Sequence, residues 1–243
     1  MAEHNMYYTG IDGCKVGWLM VGLSDSNFRY SLLTDINELS QMYPNPVRIL
    51  IDMPVGLLHQ GMKHFMQRPC DVAARKILGR KHSSIFSPPC MEALFKKSYE
   101  QASETNFRIL GKKLSKQSWN IAPRIRQVNA FLHLNPLWRG HLLEAHPELS
   151  FQYLNNNIPL GYSKKTPQGI AERLKILNGH YAGAEDCYDH MRSDNLLRGK
   201  TQPDDMADAL ALAVLSYVRK DRLQNISQHY LQDSLGNSMG IWL

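Results

Sequence analysis

The chain has 243 residues, with 28 Lys and Arg against 22 Asp and Glu, a formal net charge of +6. That length suits one large domain or a domain with a sizeable insertion, and a hydrophobic content of 43% is enough for a folded core. No apolar run approaches the roughly 18 residues that a membrane span needs, and Met1-Ala2-Glu3-His4-Asn5 lacks the basic and apolar regions of a signal peptide, so a cytoplasmic protein with no membrane partner is expected.

Residues 7–12 read as a strand, with Gly10 and Gly13 flanking Asp12. Residues 17–23 and 28–33 read as two more, and Asp25-Ser26-Asn27 between them is turn chemistry, so the three form an antiparallel meander. Residues 35–43 read as a short helix stopped by Pro44 and Pro46. Residues 47–51 are apolar apart from Arg48, the pattern of a central parallel strand, and Asp52 ends them. Helical segments follow at 70–78, 91–110 and 122–134, broken by stretches with Pro and Gly. Residues 141–145 are the next strand, and Pro147 opens a helix to 154. Thr166-Pro167 is a cap followed by Pro, which starts a helix to 177. Residues 183–200 read as a loop or short helix, and 203–219 as the last strong helix. The order predicts a single α/β domain over 1–243 with the mixed sheet of the ribonuclease H-like fold: three antiparallel strands, then parallel strands, flanked by helices. A helical insertion interrupts it at about 55–140.

The insertion is strongly basic. Residues 53–143 hold 15 Lys and Arg and four acids, and no Asp or Glu occurs between Glu104 and Glu144. Such one-signed charge suits a polyanion, and nucleic acid is the expected partner. Candidate phosphate contacts are Arg75, Arg80, Lys112, Lys113, Lys116 and Arg124, with Gln117 beside them. Trp119 serves either as a stacking platform for an unpaired base or, the commoner role, as a core residue. Lys164 and Lys165 precede a helix N-terminus, which is either a phosphate-binding position or a solvated loop. Cys14, Cys70, Cys90 and Cys187 are too scattered for a zinc motif and read as isolated thiols.

Acids recur where the elements end. Asp12 alone reads as a turn residue beside Gly. Asp52 ends a predicted central strand, where sites form in open α/β sheets. Glu144 and His146 are two apart in a strand and share a face. Glu148 falls in the first turn of a helix and takes the structural role of a dipole partner, while His146 is left as ligand, proton carrier or hydrogen-bond partner. Asp205 and Asp208 share a helix face. Residues 209–215 are apolar all round, so that helix is buried, and the carboxylate of Asp208 needs a partner or a metal. Asp12, Asp52, Glu144, Asp205 and Asp208 thus form the candidate catalytic and metal-binding set. Mg2+ or Mn2+ is the cation that suits oxygen ligands and phosphate chemistry, with two ions about 4 Å apart as the pattern in phosphodiester cleavage.

Gly10-Ile11-Asp12-Gly13-Cys14-Lys15, Ile51-Asp52-Met53-Pro54, Arg68-Pro69-Cys70-Asp71, Ser115-Lys116-Gln117, Glu144-Ala145-His146-Pro147-Glu148 and the block from Asp204 to Ala209 come in that order. Together they resemble the predicted RNase H-like nuclease family, long catalogued as a domain of unknown function. Asp205-Met206-Ala207-Asp208-Ala209-Leu210-Ala211 is also similar to the final helix of RuvC-type Holliday-junction resolvases. Those enzymes carry an Asp on the first strand, which Asp12 matches, and a Glu at the end of the fourth, where this chain has Asp52. The resemblance implies a metal-dependent nuclease. Two rivals stand beside it: a nucleic-acid-binding protein of the same fold without turnover, and an ATP-dependent phosphotransferase of the actin and sugar-kinase type.

Overall fold

The computed structural model describes residues 7–243; the first residues, on which the absence of a signal peptide is read, lie outside that range. In chain order the elements are β1 (Tyr8–Cys14), β2 (Gly17–Leu23), β3 (Phe28–Leu33), α1 (Glu38–Met42), β4 (Ile49–Ile51), α2 (Pro69–Leu78), α3 (Met91–Leu94), α4 (Tyr99–Leu110), α5 (Lys116–Leu134), β5 (Leu142–Glu144), α6 (Pro147–Leu154), α7 (Pro167–Asn178), α8 (Ala184–Ser193), α9 (Pro203–Arg219), β6 (Leu231–Gln232) and β7 (Ser238–Met239). The first five strands make a mixed sheet of order β3-β2-β1-β4-β5, and β6-β7 make a separate antiparallel pair. This is the strand order of the ribonuclease H-like fold. Among the described residues, no helix is long and apolar enough to cross a membrane.

The chain divides into two compact units. The first runs to Asp52 and resumes over 145–224 with Leu243; the second takes 53–144 and 225–242. The second unit's first segment holds α2, α3, α4, α5 and β5. Its C-terminal segment, with β6 and β7, has no counterpart in the sequence reading.

In the first unit, β1 and β2 pair antiparallel from Tyr8–Leu23 to Cys14–Gly17. β1 and β4 pair in parallel, Thr9 with Ile49, Gly10 with Leu50 and Ile11 with Ile51. The Asp52 amide then donates to the Ile11 carbonyl at 2.9 Å, which carries the ladder one step beyond the strand. Side chains alternate along a strand, so Gly10 and Asp12 share a face of β1. Their cross-strand partners Val21 and Leu19 face the same way, and both are fully buried with Leu210, Ala213 and Val214 of α9.

Helix α9 is apolar all round because both of its sides are covered. β1 and β2 lie on one side, and α6, α7 and α8 pack on the other. Ala207 and all of residues 209–215 are 0% exposed. Gly10 sets how closely the helix approaches. A Cβ there would lie 2.4 Å from the Ala213 amide nitrogen, 2.5 Å from the Ala209 carbonyl oxygen and 2.6 Å from the Leu212 Cβ. Two of those three atoms are backbone, so no rotamer change relieves the clash.

Two helices differ from expectation for local reasons. The stretch expected as one helix over 91–110 breaks into α3 and α4, because Ser98 caps a new start by accepting from the Gln101 amide. α5 begins at Lys116, capped by Ser115, six residues before the start expected at 122, and runs through Pro123.

The close approach at Gly10 yields a prediction. Gly10→Ala forces α9 off the sheet and lowers stability by about 1–3 kcal/mol or more, measured by thermal or urea unfolding. Unchanged stability would show that α9 is not held at this distance.

Candidate functional site

The register places Asp12 and Asp52 at adjacent positions on neighbouring parallel strands, each one residue past the last paired residue, Ile11 and Ile51. Their carboxyls share a hydrogen bond. The amide of Gly13 also donates to Asp12 Oδ1 at 2.7 Å. Asp208 sits on the second turn of α9, one residue before Ala209, whose carbonyl faces Gly10. The close packing of α9 thereby delivers a carboxylate to the strand ends. Asp12 and Asp208 are 8% and 1% exposed, and the charges of Asp208 and Asp52 both act on Asp12.

Crowding and burial disfavour the charged forms. Burial, and then Asp52, Asp208 and Asp205, raise the Asp12 pKa well above the usual carboxylate range. Burial pushes Asp52 up to about 6, although Lys164 and the hydrogen bond with Asp12 pull it back. Asp208 also reaches about 6 through burial, against the pull of Lys164.

Lys164, in the loop between α6 and α7, is the cation of this group. Its ammonium donates to Asp208 Oδ2 and lies 3.7 Å from Asp204. Burial works against the charged ammonium, yet Asp208, with Asp12 and Asp52 behind it, raises the lysine pKa on balance. Lys165 pairs with Asp204 at 2.5 Å. Both lysines, expected as phosphate contacts, are therefore bonded to carboxylates of the α9 N-terminus. The loop is held by Thr166, whose hydroxyl accepts from the Gly169 amide and caps α7.

Asp205 serves the helix itself. One of its oxygens accepts from the Gln202 amide at 2.9 Å and completes a capping box. Its charge still reaches Asp12. Glu148, expected as a partner of the helix dipole, is instead paired with the buried Arg173. His146 occupies the N-cap position of α6 without capping through its side chain.

Glu144 belongs to the second unit and to another network. Arg68 Nη2 and Nη1 donate to its two oxygens at 2.6 and 2.8 Å, and the Val55 amide donates at 2.7 Å. Arg68 also grips Asp71 Oδ1 at 2.5 Å and the carbonyls of Val55 and Gly56. Burial lifts the Glu144 pKa to about 7, against the lowering by Arg68. Arg68 appears in the sequence motif, but its partner Glu144 lies 76 residues away, and nothing local names the pairing.

Of the residues expected to meet phosphate, Arg75, Lys112, Lys113 and Gln117 line one cavity of the second unit, and Arg80, Lys116 and Arg124 do not line it. Arg75 is tied to Gln67, Ser87 and the Ile85 carbonyl. Lys113 pairs with Glu104 at 2.6 Å, and the Lys116 ammonium sits 3.4 Å over the Tyr99 ring. Trp119 is half-buried and meets Tyr99 edge-on. All four cysteines are buried thiols.

The raised carboxyls fix a pH dependence. A group whose folded pKa exceeds its unfolded value stabilises the fold at low pH, and that contribution disappears as pH rises through the folded value. For Asp52 and Asp208 the window runs from about 4 to about 6. In chelator-treated protein, stability should fall on the order of 1–3 kcal/mol from pH 4.5 to 7.5 through this group, and Asp52→Asn should flatten the slope. Urea unfolding across pH checks this; identical slopes in wild type and variant would refute the crowding.

The sequence model of the family described as "Protein of unknown function (DUF429)" matches residues 10–229, which spans both the aspartates and the basic unit. No curated protein matches the chain. No solved structure matches it either.

Proposed function

We propose, for a chain that belongs to the DUF429 family, a divalent-metal-dependent nuclease that hydrolyses phosphodiester bonds of nucleic acid in the cytoplasm. The observation that carries this reading is the gathering of Asp12, Asp52 and Asp208, from two strand ends and a buried helix, into one group in which Asp52 and Asp208 repel the charge of Asp12 and Asp52 repels that of Asp208. Burying carboxylates together costs stability unless a cation compensates. A site that retains such a cost does so for a ligand that relieves it.

The donor set fits a hard cation. All three side chains offer carboxylate oxygens, the ligands that Mg2+ and Mn2+ prefer. Asp208 Oδ1 is buried and accepts no hydrogen bond, so a coordination position is already desolvated. Asp12, Asp52 and Asp208 would hold the ion or ions, with Asp205 contributing charge from the helix start. Glu144 stands outside this set because both of its oxygens are bonded to Arg68. Bound there, the metal supplies Lewis acidity toward a phosphoryl oxygen and lowers the pKa of water. The protein's own residues orient the carboxylates, exclude bulk water from Asp208 and offer Lys164 and Lys165 as cations beside the phosphate. The excess of Lys and Arg over acids in the second unit supports a nucleic-acid backbone as the substrate, and the four buried thiols suit a reducing compartment.

A second reading has an observation of its own. Among the described residues, no group of three or more His, Cys, Asp or Glu is arranged to hold a metal ion, and Lys164 already neutralises Asp208. This arrangement favours a protein that binds nucleic acid without turnover.

Cleavage assays with Mg2+ and Mn2+ on single-stranded, duplex, hybrid and branched substrates separate the two. The nuclease reading expects metal-dependent cutting that Asp12→Asn and Asp52→Asn each reduce about a thousand-fold or more. It also expects Lys164→Met to destabilise the metal-free protein at pH 8 and Mn2+ to restore that loss. Binding with no cutting on every substrate, and no rescue by Mn2+, would establish the second reading.

A further inference from the structure

The second unit contains a cavity of about 350 Å3, within the range of about 300–1,000 Å3 common to small-molecule sites. Its lining joins opposite charges. Lys112 and Lys113 are exposed, whereas Asp71 is 0% exposed. Phe86, 41% exposed, contributes an aromatic ring to the same wall.

Asp71 carries the argument. Its Oδ1 receives two bonds from Arg68, at 2.5 and 3.1 Å. Its Oδ2 is buried and has no hydrogen-bond partner. Arg68 has nothing left to give that oxygen, because its nitrogens are spent on Asp71 Oδ1, Glu144 and the carbonyls of Val55 and Gly56. A buried carboxylate oxygen without a donor costs about 1–3 kcal/mol or more, and here its residue lines the cavity.

The walls reject the simplest ligands. Inorganic phosphate would satisfy the lysines but would leave Asp71 Oδ2 unbonded and repelling. A plain cation would satisfy Asp71 but would meet Lys112, Lys113 and Arg75 in the same cavity. A fitting ligand carries an anionic group, a flat apolar body and a hydrogen-bond donor. We infer that this cavity binds a nucleotide with an exocyclic amino group, the amino group donating to Asp71 Oδ2, the base lying against Phe86 and the phosphate meeting Lys112 and Lys113. An oxo group at the same ring position would point a lone pair at a carboxylate. The site therefore selects cytidine over uridine nucleotides. It lies wholly within the second unit and does not depend on the aspartates of the first.

Calorimetric titration of the full chain in chelator tests this, with cytidine 5′-monophosphate, uridine 5′-monophosphate, inorganic phosphate and single-stranded oligo-C and oligo-U as probes. Cytidine monophosphate should bind at least about ten-fold tighter than uridine monophosphate, and phosphate should bind more weakly than either. Asp71→Asn presents an amide that also donates, and should erase or invert the preference. Phe86→Ala should weaken both mononucleotides about ten-fold and leave their ratio unchanged. It also keeps the test open if the Asp71 variant fails to fold. Asp12→Asn should leave the affinities for both mononucleotides unchanged, which separates this site from the nuclease reading. Preference for oligo-C over oligo-U without mononucleotide binding would place the ligand within a strand; mononucleotide binding would make it a free nucleotide. Equal affinity for the cytidine and uridine forms, no saturable binding of any probe, or indifference to Phe86→Ala would each overturn the inference.

Discussion

The contact between Gly10 and the backbone of α9 is the constraint on which the first unit is built. Any side chain larger than hydrogen at Gly10 would collide with the Ala209 carbonyl and the Ala213 amide. With that space free, a helix made largely of Ala and Leu lies directly on β1 and β2, and its burial supplies much of the hydrophobic core. The same approach sets the position of Asp208 relative to Asp12 and Asp52. The packing that stabilises the unit is thus also what crowds its carboxylates.

The two units compensate buried carboxylates in contrasting ways. In the second, Arg68 meets Glu144 and Asp71 with its planar fork, and every nitrogen finds an acceptor. Arginine suits such a closed arrangement because its donors are rigid and its charge is permanent. In the first, the compensating group is Lys164, a single ammonium on a flexible stem that remains 36% exposed. It reaches Asp208 Oδ2 and leaves Oδ1 without a partner. A lysine in a loop can withdraw at little cost to the fold, whereas Arg68 cannot leave without stranding two carboxylates. We therefore read the arginine network as structural and the lysine-held aspartates as exchangeable.

Much of this arrangement is legible in the sequence because it follows periodicity. The strand that ends in Asp52 is an apolar run, and the buried helix that carries Asp208 is apolar all round, so both acids stand out against their surroundings. The first three strands and the last helix come within two residues of their expected bounds. What escapes is long-range pairing. Nothing beside Lys164 points to Asp208, 44 residues on, and a lysine before a helix suggests solvent or phosphate equally well. Glu144 looks like a strand-end acid by local pattern, and only the fold brings Arg68 to it. Segment 225–242 carries too few apolar residues in period to reveal its two short strands. The cavity around Asp71 is assembled from four stretches of chain and has no linear signature at all.

Crystals of the full chain soaked in Mn2+ at pH 8, with anomalous scattering recorded for the metal, test the central claim most directly. The account predicts anomalous density bonded to the carboxylates of Asp12, Asp52 and Asp208, with the Lys164 ammonium moved off Asp208. Saturating Mn2+ that leaves no density there, with Lys164 still seated on Asp208, would contradict it.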